Sequence, residues 1–439
     1  MICSSYCVKN NRKIVEVRTM KTRVYYGEYT LRHWLNLMLT RNIDLPDYQR
    51  SFVWGENDVK RMMESLEFGQ FVPPVTIAHF NDGNESKNLI LDGQQRLTSL
   101  LLAYLGRMPI KEKFVSTDVD LAAGDDSDED GQIVSSMEWT YKFMLSKNPN
   151  EDSLAKMENR IREDERYAKL DIALHHKIED FYDDTFLGFS FVIPDSEDAA
   201  ETQRYFSTLF RNMNYLGHKL SPLESRRSLY YLNADYKNFF DGKLENGEDV
   251  LCGIRLIENM QARKLDFVRY LSTLSQYKGT NDIKKVLRGY SAYSSRESYY
   301  ADYVSYIVGL EQEDRNDKFD NFKIKELFPN QEWRERFVTV KSFLEKNKAR
   351  LGLDEKSDAF KSWIDADYWL YGLLYFVVFE GSHIAKEEEL ISAISSEVLE
   401  KKNTKANKEA EEYSKNPNRV GNLRDRILRS IDIYENHAE

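Results

Sequence analysis

Two short polar segments concentrate the residue types that handle phosphate. The first is Leu45-Pro46-Asp47-Tyr48-Gln49-Arg50-Ser51-Phe52-Val53-Trp54. The second, about forty residues further on, is Leu91-Asp92-Gly93-Gln94-Gln95-Arg96-Leu97-Thr98-Ser99-Leu100. Arg50 and Arg96 can each donate paired hydrogen bonds to phosphate oxygens. Gly93 lets the backbone approach a phosphate that a side chain would hold off, and the amides of 93–95 form a neutral cradle if they open a helix. Gln49, Gln94 or Gln95 can orient a water toward a terminal phosphate. Asp92 can hold a magnesium ion, directly or through water. The competing reading is structural: Asp92 caps a helix, and the two arginines pair with carboxylates.

The elements that must position these residues are legible from periodicity. Leu31, Trp34, Leu35, Met38 and Leu39 share one face of a helix over 30–40, which ends before Asp44-Leu45-Pro46 because the residue preceding proline disfavours helix. Val59, Met62, Met63 and Leu66 mark a second helix, with Gly69 where a C-terminal cap belongs. Pro73-Pro74 forces an extended chain into a strand at Val75 to Phe80, and the turn signal Asn81-Asp82-Gly83-Asn84 leads to a second strand at Asn88 to Leu91. This hairpin delivers the second motif onto a helix that runs to Gly106, with Asp92 expected as its N-cap. The positive dipole end and free N–H groups of a helix start suit anions. Beyond Asn150 the pattern is mostly helical and rich in Tyr and Phe, with one strand at Phe189 to Ile193.

The two motifs, at this spacing and around this helix-hairpin-helix order, closely resemble the N-terminal domain of GmrSD-type, modification-dependent restriction endonucleases. That family is grouped with the ParB and sulfiredoxin-like nucleotide-binding folds. The resemblance extends to Phe210 to Arg227, through Asn214, Gly217, Leu220, Ser221, Glu224 and Arg226, and faintly to Arg263 to Arg269. Asn212 departs from it, standing where the family usually has arginine, and Leu216-Gly217 replaces paired glycines. The resemblance implies nucleoside triphosphate binding and hydrolysis, with GTP or ATP and Mg2+. The expected site has Asp92 and Gln95 as catalytic residues and Tyr48, Gln49, Arg50, Gly93, Gln94, Arg96 and Thr98 as nucleotide ligands. Fused family members also carry an HNH nuclease domain. Here His383 and His437 alone among the histidines fall in the last third, and neither lies in a His-x-x-Pro context, so that nuclease domain is expected to be absent.

The expected fold class is α+β, with an extension at 1–22, a small mixed ParB/sulfiredoxin-like domain at 23–200 carrying an acidic insertion at 117–135, and a helical domain at 201–439. The formal charge of -11 is local. Residues 1–116 carry 16 basic and 12 acidic side chains, whereas 117–200 carry 8 and 22. The motif-bearing segment is therefore mildly basic, and the net charge excludes nothing about nucleic acid. No apolar run reaches the ~18–20 residues of a membrane helix, no secretory signal is visible, and three cysteines do not make a disulfide framework. A reducing cytoplasm is expected, with no membrane partner.

Other signals are weaker. Asp126 to Ile133 follows the start of a calcium loop, but position 12 is Met137 instead of a bidentate Glu. Cys3 and Cys7 amount to half a zinc site, and the adjacent His175-His176 are expected to point to different sides of a helix. The function expected is a nucleoside triphosphatase of a prokaryotic restriction or anti-phage system, which couples turnover to DNA, modified DNA included, or to a separate nuclease subunit, and which can be a homodimer. The alternative is a non-catalytic DNA-binding or regulatory module that senses a nucleotide or modified DNA.

Overall fold

A computed structural model describes residues 21–46, 51–81, 86–114, 139–195, 201–202, 205–206, 208–209, 222–258, 261–292, 295–310, 330, 332–403, 405 and 408–439. The expectations that rest on Cys3, Cys7, Asp47, Tyr48, Gln49, Arg50, the acidic segment 117–135 and Asn212 to Ser221 lie outside these residues. The architecture is α+β: a mixed sheet with helices, followed by a helical C-terminal region.

The chain opens with β1 (Lys21–Thr30) and α1 (Leu31–Leu39), whose first turn is capped by the Thr30 hydroxyl accepting from the His33 amide. Next come α2 (Glu56–Glu67), β2 (Val75–Asn81), β3 (Ser86–Asp92) and α3 (Gln94–Leu105). Gly69, just past α2, has φ +62 and so supplies the expected left-handed ending. Short strands β4 (Arg107–Pro109) and β5 (Tyr167–Lys169) pair antiparallel, with α4 (Leu154–Arg162) between them in the chain. α5 (Ile178–Asp184) leads into β6 (Phe186–Asp195).

The sheet order is β1-β6-β2-β3. β6 runs antiparallel to β1 (Tyr25 opposite Phe191) and parallel to β2 (Ile77 opposite Phe191), and β2 and β3 form the expected hairpin. Alternation along the strands splits the apolar side chains between two faces. Val75, Ile77, Ile90 and Leu187 join the buried faces of α1, α2 and α3 in one core, while Ala78, Phe80, Leu89, Leu91 and Val192 cover the other face and pack against Phe206. The expectation for His175-His176 is corrected: both precede α5 in a bend, where the His175 ring and amide bind Glu67.

A third core runs from Leu229 to Tyr434. At its centre is the helix Trp363–Leu374, every residue of which is buried, continued by a π-helical turn at Tyr375–Glu380. Gly372 is required because a Cβ there would overlap the Tyr434 ring and the Ser430 carbonyl of the packed helix Val420–Glu435. Among the described residues, no helix is long and apolar enough to cross a membrane.

Candidate functional site

The site is built at the start of α3. Leu89 and Leu91 anchor one face of β3 and Ile90 the other, which brings Asp92 to the end of the strand with its side chain 55% exposed. The expectation that Asp92 caps the helix is corrected. Asp92 is the last strand residue, and the N-cap is Gly93, with φ 99 and ψ 7 and no side-chain capping bond. A left-handed residue is what turns the strand directly into the helix, and glycine adopts that conformation without a Cβ penalty. Space enforces the same choice: a Cβ at 93 would lie 3.0 Å from Val75 Cγ2 and 3.2 Å from Arg96 Nη2.

The structure brings the two motifs into direct contact through Gln95. Its Oε1 accepts from the Val53 amide at 2.9 Å and the Trp54 amide at 3.4 Å, and its Nε2 donates to the Ser51 carbonyl at 3.1 Å. Gln95 is buried, so these bonds replace water on three backbone groups that would otherwise be costly to bury. With both ends of its amide engaged, Gln95 is a positioning residue in this conformation.

The described residues on either side of 47–50 are both held in place. Upstream, Asp44 adds to the β3 edge, its amide donating to Asn88 O at 2.8 Å and its carbonyl accepting from Ile90 N at 2.9 Å. Leu45 is buried immediately after it. Downstream, Phe52 is buried edge-on against Trp139, and its amide donates to Trp139 O at 2.7 Å.

Arg96 lies one turn into the helix. Its Nη2 donates to Asp92 Oδ2 at 2.7 Å and to the Pro74 carbonyl at 3.2 Å, while its Nε is buried with no partner among the described residues. Part of the structural reading is therefore realised, since this arginine does pair with a carboxylate. Such a pair at the surface is worth only about 0–1 kcal/mol, so a phosphate can replace Asp92 as the partner of the guanidinium at small cost. The Thr98 hydroxyl, one turn beyond Gln94, is also buried without a partner among the described residues. Gln94 is buried at the first helical position.

For a magnesium ion, Asp92 offers the right donor chemistry: an exposed hard carboxylate with one oxygen on Arg96 and the other outside any hydrogen bond among the described residues. Mg2+ in nucleotide sites commonly uses one or two carboxylates plus phosphate oxygens and water. The described residues contain no cluster of three or more His, Cys, Asp or Glu side chains able to hold a metal without such a ligand.

Residues 32–231 match the family model of the GmrSD restriction endonuclease, N-terminal domain. This segment is a GmrSD-type N-terminal domain. A protein of Methanocaldococcus jannaschii described as uncharacterized is 33% identical over 91 residues, covering 16% of this chain and 16% of the relative. The match therefore spans a small part of that relative's length. No solved structure matches the chain.

The signature Arg226 of the GmrSD-type domain is placed in an unexpected setting. It is buried, with Nη2 on Asp266 at 2.8 Å and Nη1 on Glu297 at 3.1 Å, both beyond the matched residues. Burial alone would lower its pKa, but the fields of the two carboxylates raise it, so it stays charged. Arg269 is likewise buried, as a bidentate partner of Asp367 at 2.6 and 2.9 Å. Residue type alone marks neither as internal. The usable signal was the apolar company of Arg269 in Phe267-Val268-Arg269-Tyr270-Leu271, where a lone charge on a buried helix needs a partner.

Proposed function

We propose that the GmrSD-type domain binds a nucleoside triphosphate at the start of α3 and hydrolyses it, as a component of a cytoplasmic prokaryotic restriction or defence system. The observation that carries this reading is the Gln95 clamp, which holds Ser51 to Trp54 of the first motif beside the start of α3. Gly93 leaves the close approach a phosphate needs, and Arg96 turns from Asp92 to a phosphate oxygen. Arg50 supplies the second guanidinium, and Tyr48, Gln49, Gln94 and Thr98 complete the nucleotide set. Bound Mg2+ would neutralise phosphate charge, and Asp92 is the residue that would hold it. Gln95 contributes to catalysis by fixing Ser51 to Trp54, and Gln49, two positions before Ser51 in the sequence, is suited to orienting the attacking water. Turnover would switch the helical remainder between states that engage DNA, modified DNA included, or a separate nuclease subunit.

Calorimetric titration with ATP and GTP tests the binding step. Arg96→Ala should abolish binding with the fold intact, and unchanged affinity would exclude the site.

A second reading, a sensor that holds a nucleotide or modified base without turnover, is favoured by the full engagement of the Gln95 amide. Phosphate release assayed with and without modified DNA separates the two: binding without release at either condition establishes the sensor.

A further inference from the structure

The β2–β3 hairpin gathers three side chains of complementary chemistry on one of its faces. His79 and Asn88 stand directly opposite each other across the antiparallel pair, and Ser86, two residues before Asn88 on the same strand, is diagonal to His79. Their hydrogen bonds run in sequence. Ser86 Oγ lies 3.2 Å from His79 Nε2, His79 Nδ1 lies 3.0 Å from Asn88 Oδ1, and Asn88 Nδ2 donates to the Asn42 carbonyl at 3.0 Å. Asp92 ends the same strand that Ser86 begins, about 20 Å away at ~3.4 Å per residue, so this cluster is separate from the start of α3.

The bond to Asn42 decides where the protons of the other groups sit. A carbonyl can only accept, so it holds the Asn88 NH2 group and turns Oδ1 toward the imidazole. Oδ1 can only accept in its turn, which places the His79 proton on Nδ1 and leaves the Nε2 lone pair facing Ser86 Oγ. This is the tautomer that can take a proton from a hydroxyl, with nucleophile, base and orienting group in the order that serine and cysteine hydrolases share. Ser86 is exposed, whereas His79 and Asn88 are half-buried and the His79 ring packs against the Phe191 ring at 6.4 Å. The base is thereby fixed while the hydroxyl stays open to a reactant. The backbone adds a donor. The Asn88 carbonyl and the Ile90 amide both bond outward to Asp44, and alternation turns the Ser86 N–H to that same outer edge, where it can donate to an oxyanion formed on an acyl group at Oγ.

We propose that Ser86 is a nucleophile activated by His79, with Asn88 as the positioning residue, and that this site transfers the acyl group of a short carboxylic ester to water. Ser86 Oγ bonds to the acyl carbon as its proton passes to His79 Nε2. The ester C–O bond breaks, and the alcohol leaves with that proton. Water then attacks the acyl carbon and gives a proton to His79, and the carboxylic acid departs as Ser86 Oγ takes that proton back. Water is the only co-reactant.

The test uses the full chain with two probes, a fluorophosphonate that labels activated serines irreversibly and p-nitrophenyl acetate as the ester. Mass spectrometry should place the phosphonate on Ser86, and Ser86→Ala, a change at an exposed side chain, should abolish both labelling and ester turnover at an unchanged melting temperature. His79→Gln should slow both about 100-fold through loss of the general base. Asn88→Ala should slow labelling about tenfold, and Asn88→Asp, which keeps the acceptor for Nδ1–H, should restore it, a rescue that loss of packing alone does not give. Arg96→Ala should leave both readouts unchanged, so that this site and the one at the start of α3 are read separately. The proposal is overturned if the phosphonate does not mark Ser86, if the urea-unfolded chain is labelled as fast as the folded one, if His79→Gln leaves the labelling rate intact, or if Ser86→Ala hydrolyses the ester as fast as wild type.

Discussion

The molecule uses the same pairing, arginine with aspartate, in two regions and to opposite ends. At the start of α3 one guanidinium meets one carboxylate, with Arg96 14% and Asp92 55% exposed. Inside the helical region two guanidinium groups share one carboxylate, because Asp367 takes both Nη atoms of Arg269 and Nε of Arg426 at 2.9 Å, and Asp367 and Arg426 are inaccessible to solvent. Tyr270 adds its hydroxyl at 3.2 Å. Water access separates the two. The outer pair is cheap to break and sits on a helix N-terminus, so it can exchange its carboxylate for an incoming anion. The inner cluster cannot exchange anything without stranding a charge in the core, and its role is to lock three helices in register.

Substitutions should break this comparison unequally. Asp367→Asn leaves two buried cations without a counter-charge and should cost about 3–5 kcal/mol, read as a loss of denaturant midpoint or as failure to fold. Burial alone would raise the Asp367 pKa, but Arg269 and Arg426 overcome this and lower it. Its contribution is therefore complete above the unfolded-state value of about 3.9 and is lost as pH falls through the lower folded value. Thermal melts between pH 6 and pH 2 should show that acid limb sharply reduced in any Asp367 variant that folds. Gln95→Ala is next: it orphans backbone groups of 51–54 and should cost about 1–3 kcal/mol, with hydrogen exchange accelerated at Val53 while the amides of β3 are unaffected. Gly93→Ala should cost about 1–2 kcal/mol from its left-handed backbone, and more if Val75 does not yield; a melting temperature equal to wild type would contradict the tight turn. The smallest effect belongs to Asp92→Asn, within about 1 kcal/mol in stability. By releasing Arg96 it should preserve triphosphate binding in the absence of Mg2+ and weaken it when Mg2+ is present.

The contrast also explains what was readable from the residues alone. Local periodicity marked α1, α2, the β2–β3 hairpin, α3 and the strand β6, since each has a buried face of its own. It could not show that β6 inserts between β1 and β2, because a parallel pairing across more than a hundred residues leaves no local trace. Asp92 looked like a helix cap by type, yet the left-handed turn at Gly93 moved the cap by one residue. The polar character of Gln95 suggested chemistry, whereas its amide serves the backbone of a distant loop. Arg226 and Arg426 carry no sequence mark of burial, and the apolar company of Arg269 does not name its partner, because only the assembled helices supply Asp266, Glu297 and Asp367 around them.

Arg226 has a practical side. The family-matched segment stops at residue 231, but the counter-ions of its last signature arginine belong to the next core. A gene fragment cut at that boundary would expose a guanidinium built for an interior and uncover the apolar neighbours around it. A protein engineer seeking the GmrSD-type domain in isolation should carry the chain past Glu297, or replace Arg226 together with its setting. Any different region joined downstream of this domain would have to bring its own acidic socket for the same side chain.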